Sequence, residues 1–522
     1  MKLPRNLILP LLIFLSQTNI ISAVDKWFSL GNYIEEEGTD DKAGTAVSNS
    51  RDGSTIAVSS PHYIPKGDDG EPLEGSRYGR VMVYDFDPEF DKWNKVGDEI
   101  VGERGESLGI SMKLSEDGKT VVVGCLSDSE DSTQLEVGSV KVYALDGLAN
   151  EWKPKGETLY GTKAYDRFGT SVDIADGGAV ITVGSPGHDE DVLNDAGAVE
   201  GVLNDAGSVR VYKYDISLDE WRPIQNAMVG TSAFAKFGSS VSLSQVGSVA
   251  IGAPLADNSR GYVQMYHYNA TDETWDVRGD AINGAKPGDQ FGASVAMSYD
   301  ASTVAVGSPL LAGYGTKKRS GSVTVFEYTD SMWKVLGEKI IGRDEGDEFG
   351  SSVDMSDDGK EIAVGSPFST SDFTKKQAGH ITVYHYDGRG QATKKWNKRH
   401  LEIEGKVEYS HQGSSVGLSG DGYQVIGGAP TEGYASVYTL EKTAPPTMAP
   451  TVEREIDVRG GRSGFAAFVL VIFFISLIAA TVWFVFKGVV YYRNKSRQDH
   501  YPNNNGVEMR QVEVIDEGEG II

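Results

Sequence analysis

The chain has 522 residues and 63 glycines, about one residue in eight, against a usual share of roughly 7%. Hydrophobic residues make up 39% of it and aromatic residues 10%, which excludes a wholly disordered chain. The formal net charge of −26 argues against nucleic acid or an anionic lipid surface as a partner. The single cysteine, Cys125, excludes an internal disulfide framework and a cysteine-based zinc site.

Two apolar runs predict secretion and membrane insertion. Residues 1–23 combine a basic start, a short apolar stretch and a small residue at Ala23, which is typical of a cleaved signal peptide. The run from Phe465 to Phe486 carries no charge and predicts a transmembrane helix over residues 464–486. Basic residues follow this run, so the positive-inside rule places residues 487–522 in the cytosol. We therefore expect a single-pass type I protein of the plasma membrane or another secretory-pathway membrane, with its N-terminus extracellular or lumenal.

The regions around the membrane span differ in charge and composition. Residues 24–440 hold 38 Lys and Arg against 65 Asp and Glu, a net charge of −27, so nearly all the acidity is extracellular. Residues 441–463 are rich in proline and threonine and predict a semi-rigid stalk. The short cytosolic tail cannot hold an enzymatic domain, so we expect a cytosolic adaptor to be its partner.

The segment between the apolar runs repeats itself seven times. One signature, Gly-x-Val-x-Val-Tyr, recurs at intervals of 54 to 69 residues, a period typical of propeller blades. A second resembles Val-Gly-Ser-Pro, a third is Phe-Gly-x-Ser-Val, and a fourth is a tryptophan. The seven glycines of the first signature are Gly79, Gly138, Gly207, Gly261, Gly321, Gly379 and Gly433.

Each repeat predicts four short strands: A (Gly-x-Ser-Val), B (Val-Gly-Ser-Pro), C (Val-x-Val-Tyr) and D (the tryptophan). Turns such as Ser-x-Asp-Gly at residues 115–118 join A to B. The fold class we expect is all-β, a seven-bladed β-propeller of four-stranded antiparallel blades, plus one transmembrane α-helix. The seventh C strand has no tryptophan after it, whereas Trp27 precedes the first A strand. We therefore expect residues 27–31 to supply strand D of blade seven and to close the ring.

These motifs resemble the FG-GAP repeats of the integrin α-chain head, most clearly at Phe168, Phe237, Phe291 and Phe349. The resemblance covers residues 24–440 and implies a seven-bladed propeller used in extracellular recognition. The chain departs from integrins in its short stalk and in the sequence that follows the membrane span. Its A–B turns also lack the Asp-x-Asp-x-Asp-Gly calcium loop of integrin-type blades. We expect no cofactor, with calcium left open, and no metal site.

The connections between strands predict which face of the ring binds a ligand. The B–C and D–A connections share one face, and the B–C connections range from two residues after Pro430 to twenty after Pro186. Variable loops on a constant scaffold usually carry specificity, although surface loops also tolerate insertions without a role. The candidate ligand-binding residues in these loops are Asp68, Asp69, Asp128, Asp131, Asp189 and Asp191.

An acidic residue recurs three positions before the strand-A glycine in five blades. If these carboxylates ring the mouth of the channel, they would attract a cation or a basic group of a ligand. The alternative is an Asx-type cap that stiffens the turn into strand A. The five residues are Asp41, Glu106, Asp166, Asp289 and Asp347.

Other motifs point to no chemistry of their own. Arg278-Gly279-Asp280 and the Gly-x-Ser-x-Gly at residues 413–417 follow from the repeat pattern. Asn269 begins a glycosylation sequon at a C–D tip. No paired acids or Ser/His set recurs in the loops, so we expect the protein not to be an enzyme.

The sequence leaves three functions open. The leading interpretation is a recognition or adhesion module for an extracellular protein or glycan. The second is a structural or matrix-organising surface protein that binds cations or a wall polymer. A propeller hydrolase is the third.

Overall fold

The computed structural model describes residues 26–440, except for residues 36–38, 68–69, 74–75, 127–134, 194–198, 312–317, 371–374, 389–394 and 400–401. These residues form seven antiparallel sheets, each with strand order A-B-C-D, and one separate hairpin. The chain is therefore a seven-bladed β-propeller, as expected. Within the described residues no helix has the length and apolarity needed to cross a membrane. The predicted signal peptide, stalk, transmembrane run and tail all lie outside them.

The strand bounds repeat from blade to blade. Strand A spans Val47–Asn49, Leu108–Leu114, Ser171–Ala175, Ser240–Leu243, Ser294–Met297, Ser352–Met355 and Ser415–Leu418. Strand B spans Thr55–Ser60, Thr120–Cys125, Val180–Ser185, Ser248–Ala253, Thr303–Ser308, Glu361–Ser366 and Gln424–Ala429. Strand C spans Arg80–Asp87, Ser139–Asp146, Ser208–Asp215, Tyr262–Asn269, Ser322–Thr329, His380–Asp387 and Tyr434–Leu440.

Strand D is broken into two segments that pair with the same strand C. Its main segments are Trp27–Ser29, Lys92–Lys95, Glu151–Pro154, Glu220–Pro223, Thr274–Val277, Met332–Val335 and Lys395–Lys398. Its second segments are Ile34–Glu35, Ile100–Val101, Leu159–Tyr160, Met228–Val229, Ile282–Asn283, Ile340–Ile341 and Ile403–Glu404. The extra hairpin, Glu190–Leu193 with Val199–Leu203, extends the B–C connection of blade three. Short helical turns cover Thr39–Asp41, Asp176–Gly178 and Ala256–Ser259.

The hydrophobic core lies between neighbouring blades. Strand B is a run of apolar and small residues, which suits a strand buried on both faces. One cluster joins Val58 and Trp93 of blade one to Ile426 and Val437 of blade seven. Because the first and last blades share this cluster, the core is continuous around the ring.

The N-terminal strand closes the ring, which confirms the prediction from the count of tryptophans. Trp27 pairs with Leu440 and Ser29 with Tyr438, so Trp27–Ser29 becomes strand D of blade seven. The blade thus combines one strand from the start of the propeller with three from its end. Such pairing leaves no exposed edge at the junction of the two chain ends.

The seven tryptophans of the D strands fasten each blade to the preceding one. Each indole Nε1 donates to a main-chain carbonyl oxygen near the break in the preceding strand D. At the closing blade Trp27 donates to Arg399 at 3.2 Å, and in blade two Trp152 donates to Val96 at 2.9 Å. The other donors and acceptors are Trp93 and Leu30, Trp221 and Lys155, Trp275 and Ile224, Trp333 and Arg278, and Trp396 and Leu336.

The Gly-x-Ser and Val-Gly-Ser motifs hold the inner strands of adjacent blades together. Ser111 of strand A in blade two donates to the carbonyl oxygen of Gly169 in blade three at 2.7 Å. Gly124 of strand B faces the same carbonyl so closely that a Cβ at that position would lie 2.0 Å from the oxygen. A larger residue would therefore push the two blades apart.

Deleting residues 24–35 should destabilise the whole ring and not only its edge, because blade seven would lose its outer strand and the junction would lose two indole hydrogen bonds, those of Trp27 and Trp93. We expect a lower melting temperature and a common loss of amide-hydrogen protection in all seven blades. Deleting only residues 24–25 is the control. Loss of protection confined to blade seven would contradict a shared closure.

Candidate functional site

Four of the five acidic residues predicted to ring the channel mouth cap the D–A turns. In four blades the carboxylate accepts the backbone N–H of the residue three positions earlier, which is the geometry of the cap alternative. Asp41 ends the helical turn Thr39–Asp41, and its carbonyl oxygen accepts the His62 N–H at 3.1 Å. A role of these residues in ligand binding stays a prediction. The four N···O distances are 2.7 Å (Glu103 to Glu106), 2.8 Å (Lys163 to Asp166), 3.1 Å (Lys286 to Asp289) and 2.9 Å (Asp344 to Asp347).

The caps of blades three and six are equally buried, but their pKa values are shifted in opposite directions. Asp166 and Asp347 are each 2% exposed. Burial acts to raise the pKa of Asp166, but His188, 3.4 Å away, and hydrogen bonds from Thr162 and Lys163 outweigh it and lower the pKa to about 2. At Asp347 burial prevails and raises the pKa to about 6. One repeat position therefore carries two opposite electrostatic effects.

The remaining predicted acids lie in the variable connections. Asp189 accepts the backbone N–H of Asp205 at 2.8 Å, which ties together the root of the blade-three connection. Asp191 is exposed on the hairpin strand Glu190–Leu193. Asp68, Asp69, Asp128 and Asp131 lie outside the described residues.

The other motifs take up structural contacts. The carbonyl of Arg278 accepts the indole hydrogen bond of Trp333 at 2.7 Å, so the Arg-Gly-Asp tripeptide belongs to the interblade contacts. Ser415 of the Gly-x-Ser-x-Gly motif donates to the carbonyl of Gly44 at 3.2 Å across the closing junction. The Oδ1 of Asn269 accepts the Thr271 N–H at 3.0 Å in the C–D tip, so the sequon lies in a turn.

A cluster of charges that the sequence reasoning missed lies on the ring axis, near the A–B turns. A cavity of about 110 Å³ is lined by residues of all seven blades. In it Lys113 Nζ lies 3.7 Å from Asp354 Oδ2, and Asp354 raises the pKa of Lys113. Burial raises the pKa of Asp173, which also lines the cavity. The two aspartates accept backbone N–H groups of the next blade, from Leu243 at 2.7 Å and Leu418 at 2.8 Å.

The A–B turns around this cavity are linked to one another. Four backbone hydrogen bonds, 2.8 to 3.1 Å long, run from Tyr299 through Asp357, Gly420 and Arg51 to Glu116, and so join five blades. The guanidinium of Arg51 also donates to Asp357 at 2.6 Å and lies 4.5 Å from the Tyr299 ring centroid. Polar groups of the A–B turns therefore form hydrogen bonds with one another around the mouth of the cavity.

One signal in the sequence could have revealed the axial cluster. When the repeats are aligned on the strand-A glycine, the fourth following position is a small residue in four blades and charged in three. A charged residue on the innermost strand faces the ring axis, where an unpaired charge would be costly, so it predicts an oppositely charged partner on another blade. The seven residues are Ser48, Lys113, Asp173, Ser242, Ala296, Asp354 and Gly417.

Comparison with known proteins assigns no family to the chain. No family profile matches the sequence, and no curated protein matches it. Solved structures do match, among them a candidate 6-phosphogluconolactonase from Bacteroides uniformis with 12% identity and a TM-score of 0.48. The match covers 75% of this chain and 95% of that protein. In the part of the chain that the structure describes, no group of three or more His, Cys, Asp or Glu side chains could hold a metal ion.

The expectation that this protein is not an enzyme is corrected by this comparison. The matching structure is described as an enzyme, so the lack of a recurring acid pair or Ser/His set in the sequence is not grounds to exclude catalysis. At this level of identity the likeness shows the fold alone, and it assigns no reaction to this chain.

Asp166→Asn and Asp347→Asn should change stability in opposite directions. The folded pKa of Asp166 is lowered, so its contribution is present above about pH 4 and is lost towards pH 2. The folded pKa of Asp347 is raised, so its contribution is present below about pH 4 and is lost as the pH rises through about 6.

At pH 8 we therefore expect Asp166→Asn to lower the free energy of unfolding by about 1–2 kcal/mol and Asp347→Asn to raise it by a similar amount. Urea unfolding at pH 8 and pH 4 measures both effects, and the gain from Asp347→Asn should vanish at pH 4. Equal effects of the two substitutions at pH 8 would refute the assignment of opposite charge environments.

Lys113→Met should destabilise the ring, because it leaves the carboxylates of Asp173 and Asp354 without their cation. The Lys113 side chain is 35% exposed, so we expect a loss of about 2 kcal/mol at pH 7, between the values typical of surface and buried pairs. Lys334→Met, which breaks a surface pair with Asp330, is the control and should change little. Thermal unfolding at pH 7 compares the two variants, and indistinguishable melting temperatures would rule out a structural role for the axial pair.

Proposed function

We propose that residues 24–440 form an FG-GAP-type recognition domain that binds an extracellular protein or glycan through its B–C/D–A face. A seven-bladed ring of this kind is a rigid scaffold on which loops can vary. The repeated residues are engaged in fastening blade to blade, as Trp152 and Ser111 illustrate. Recognition would then fall to the connections that depart from the repeat.

The observation that carries this proposal is the hairpin of blade three. Glu190–Leu193 and Val199–Leu203 form a separate sheet, so the blade does not need them for its own hydrogen bonding. The root of the hairpin is nevertheless held firmly: Lys163 Nζ donates to the Asp189 carbonyl at 3.3 Å, and Lys236 Nζ lies 2.5 Å from Asp205. An anchored hairpin outside the scaffold is suited to contact a partner.

The opposite face supports the same choice. The A–B turns donate to and accept from one another, and Arg51 is engaged by Asp357. These contacts engage polar groups of the A–B turns within the scaffold. If the A–B cavity were the site instead, its charged residues would determine binding.

The apolar runs of the sequence support a single-pass type I placement, with the propeller outside the cell and the tail available to a cytosolic adaptor. The high acidity of residues 24–440 keeps open a second function, in which the surface binds cations or a wall polymer with low specificity. Binding of that second kind should fall steeply with added salt, whereas binding by a shaped site should depend less on salt.

Replacing residues 187–206 by the two-residue connection of blade seven should abolish binding of the purified full-length chain to glycan and protein arrays. The graft also removes His188, so stability should fall by no more than the contribution of Asp166, about 1–2 kcal/mol. The lower closure entropy of the shorter loop, about 0.6 kcal/mol per halving of its length, should offset part of this loss. Glu116→Gln in an A–B turn is the control and should bind normally. Binding that survives the loop graft but is lost in the control would place the site on the A–B face.

A further inference from the structure

One position of the D–A turns separates the blades into two groups. It directly precedes the capping acid or its equivalent, and its backbone is left-handed in six blades. Blades two, five and six have glycine there, the residue that adopts this conformation without steric cost. Blades three, four and seven have an aromatic residue. The six residues and their φ angles are Gly105 (+80°), Gly288 (+88°), Gly346 (+84°), Tyr165 (+66°), Phe234 (+60°) and Tyr409 (+60°).

The backbone hydrogen bond at this position does not depend on an aromatic side chain. The backbone N–H makes the same hydrogen bond to the preceding blade with either kind of residue. Tyr165 donates to Leu135 at 2.9 Å, and Gly346 donates to Lys318 at 3.0 Å. A bulky residue with positive φ is strained, so folding alone would favour glycine in all six blades.

The three aromatic side chains are also not part of the core. Tyr165 is 51% exposed, Phe234 58% and Tyr409 45%. By contrast, the indole of Trp221 is 3% exposed. Exposed aromatic residues in a strained backbone conformation lower the stability of the fold. Contact with a ligand on the B–C/D–A face would explain why aromatic residues occupy these positions.

The charges beside two of the rings are already neutralised. Arg167 follows Tyr165 by two residues, and its Nε lies 2.6 Å from Glu136. Lys236 follows Phe234 by two residues, and its Nζ lies 2.5 Å from Asp205. These cations and anions are paired with each other and offer no net charge to a ligand. The negative charge of the whole propeller region also opposes polyanions.

We infer that Tyr165, Phe234 and Tyr409 are stacking platforms for a neutral polysaccharide. The apolar C–H face of a sugar ring packs on an aromatic ring, and the ring hydroxyls need no charged partner. Separate platforms on equivalent turns of different blades suit a polymer whose sugar units repeat. This inference rests on the proposed function and narrows its ligand from protein or glycan to neutral glycan.

The test uses the triple variant Tyr165→Gly, Phe234→Gly and Tyr409→Gly in the full-length chain. Affinity electrophoresis through laminarin, hydroxyethylcellulose, xylan or mannan should retard the wild-type chain in at least one gel, and the triple variant should lose at least tenfold in affinity. Its melting temperature should be unchanged or higher, because glycine relieves the strained φ. Phe90→Ala, which removes an exposed ring on a C–D tip, is the matched control and should bind as the wild type does.

The outcomes separate this inference from the proposed function. If none of the four polymers retards the wild-type chain, or if the wild type and the triple variant are retarded equally, the inference that these residues are stacking platforms is wrong. If the chain binds array proteins and no neutral glycan, the proposed function stands and the inference of a polysaccharide ligand is wrong. If it binds neither proteins nor glycans, the proposed function and the polysaccharide inference are both wrong. A lower melting temperature in the triple variant would show that the aromatic residues serve the fold.

Discussion

The close approach of neighbouring blades is the constraint on which the rest of this structure depends. A sheet of four strands has two faces to bury, and each blade buries both against its neighbours only if the ring closes. The contacts that achieve this are few and repeated: a strand-A serine and a strand-B glycine on the inner strands, and a tryptophan on the outer strand. At the junction of the chain ends, Trp27 and Ser415 make the same contacts as their counterparts elsewhere.

The motifs that first attract attention take part in this scaffold. The Arg-Gly-Asp tripeptide and the Gly-x-Ser-x-Gly motif are fragments of the interblade contacts. The recurrent acids are hydrogen-bonded inside their own turns. In a repeat protein the residues that recur hold the scaffold together, and the positions that differ between repeats are better candidates for recognition.

Two kinds of position break the repeat in this chain. On the axis, Lys113 and Asp354 replace small residues and form a pair at 3.7 Å, beside a mouth that the A–B turns close over with their own polar groups. On the opposite face, aromatic residues replace glycine and remain exposed. The first departure satisfies its charges internally, whereas the second leaves apolar surface free, so the two ends of the ring differ in what they offer a ligand.

The sequence by itself determined the number of blades, the order of the strands and the displaced strand that closes the ring. The strand order is local and periodic, so every repeat shows it again, whereas the displaced strand follows from the one repeat that lacks a tryptophan at its end. The tertiary structure alone decided the opposite pKa shifts of Asp166 and Asp347, which share a repeat position: His188 lies beside Asp166, whereas burial raises the pKa of Asp347. It also brought Lys113 to Asp354 and set Tyr165 in a left-handed turn. Such properties depend on residues far apart in the chain, because only ring closure brings those residues together.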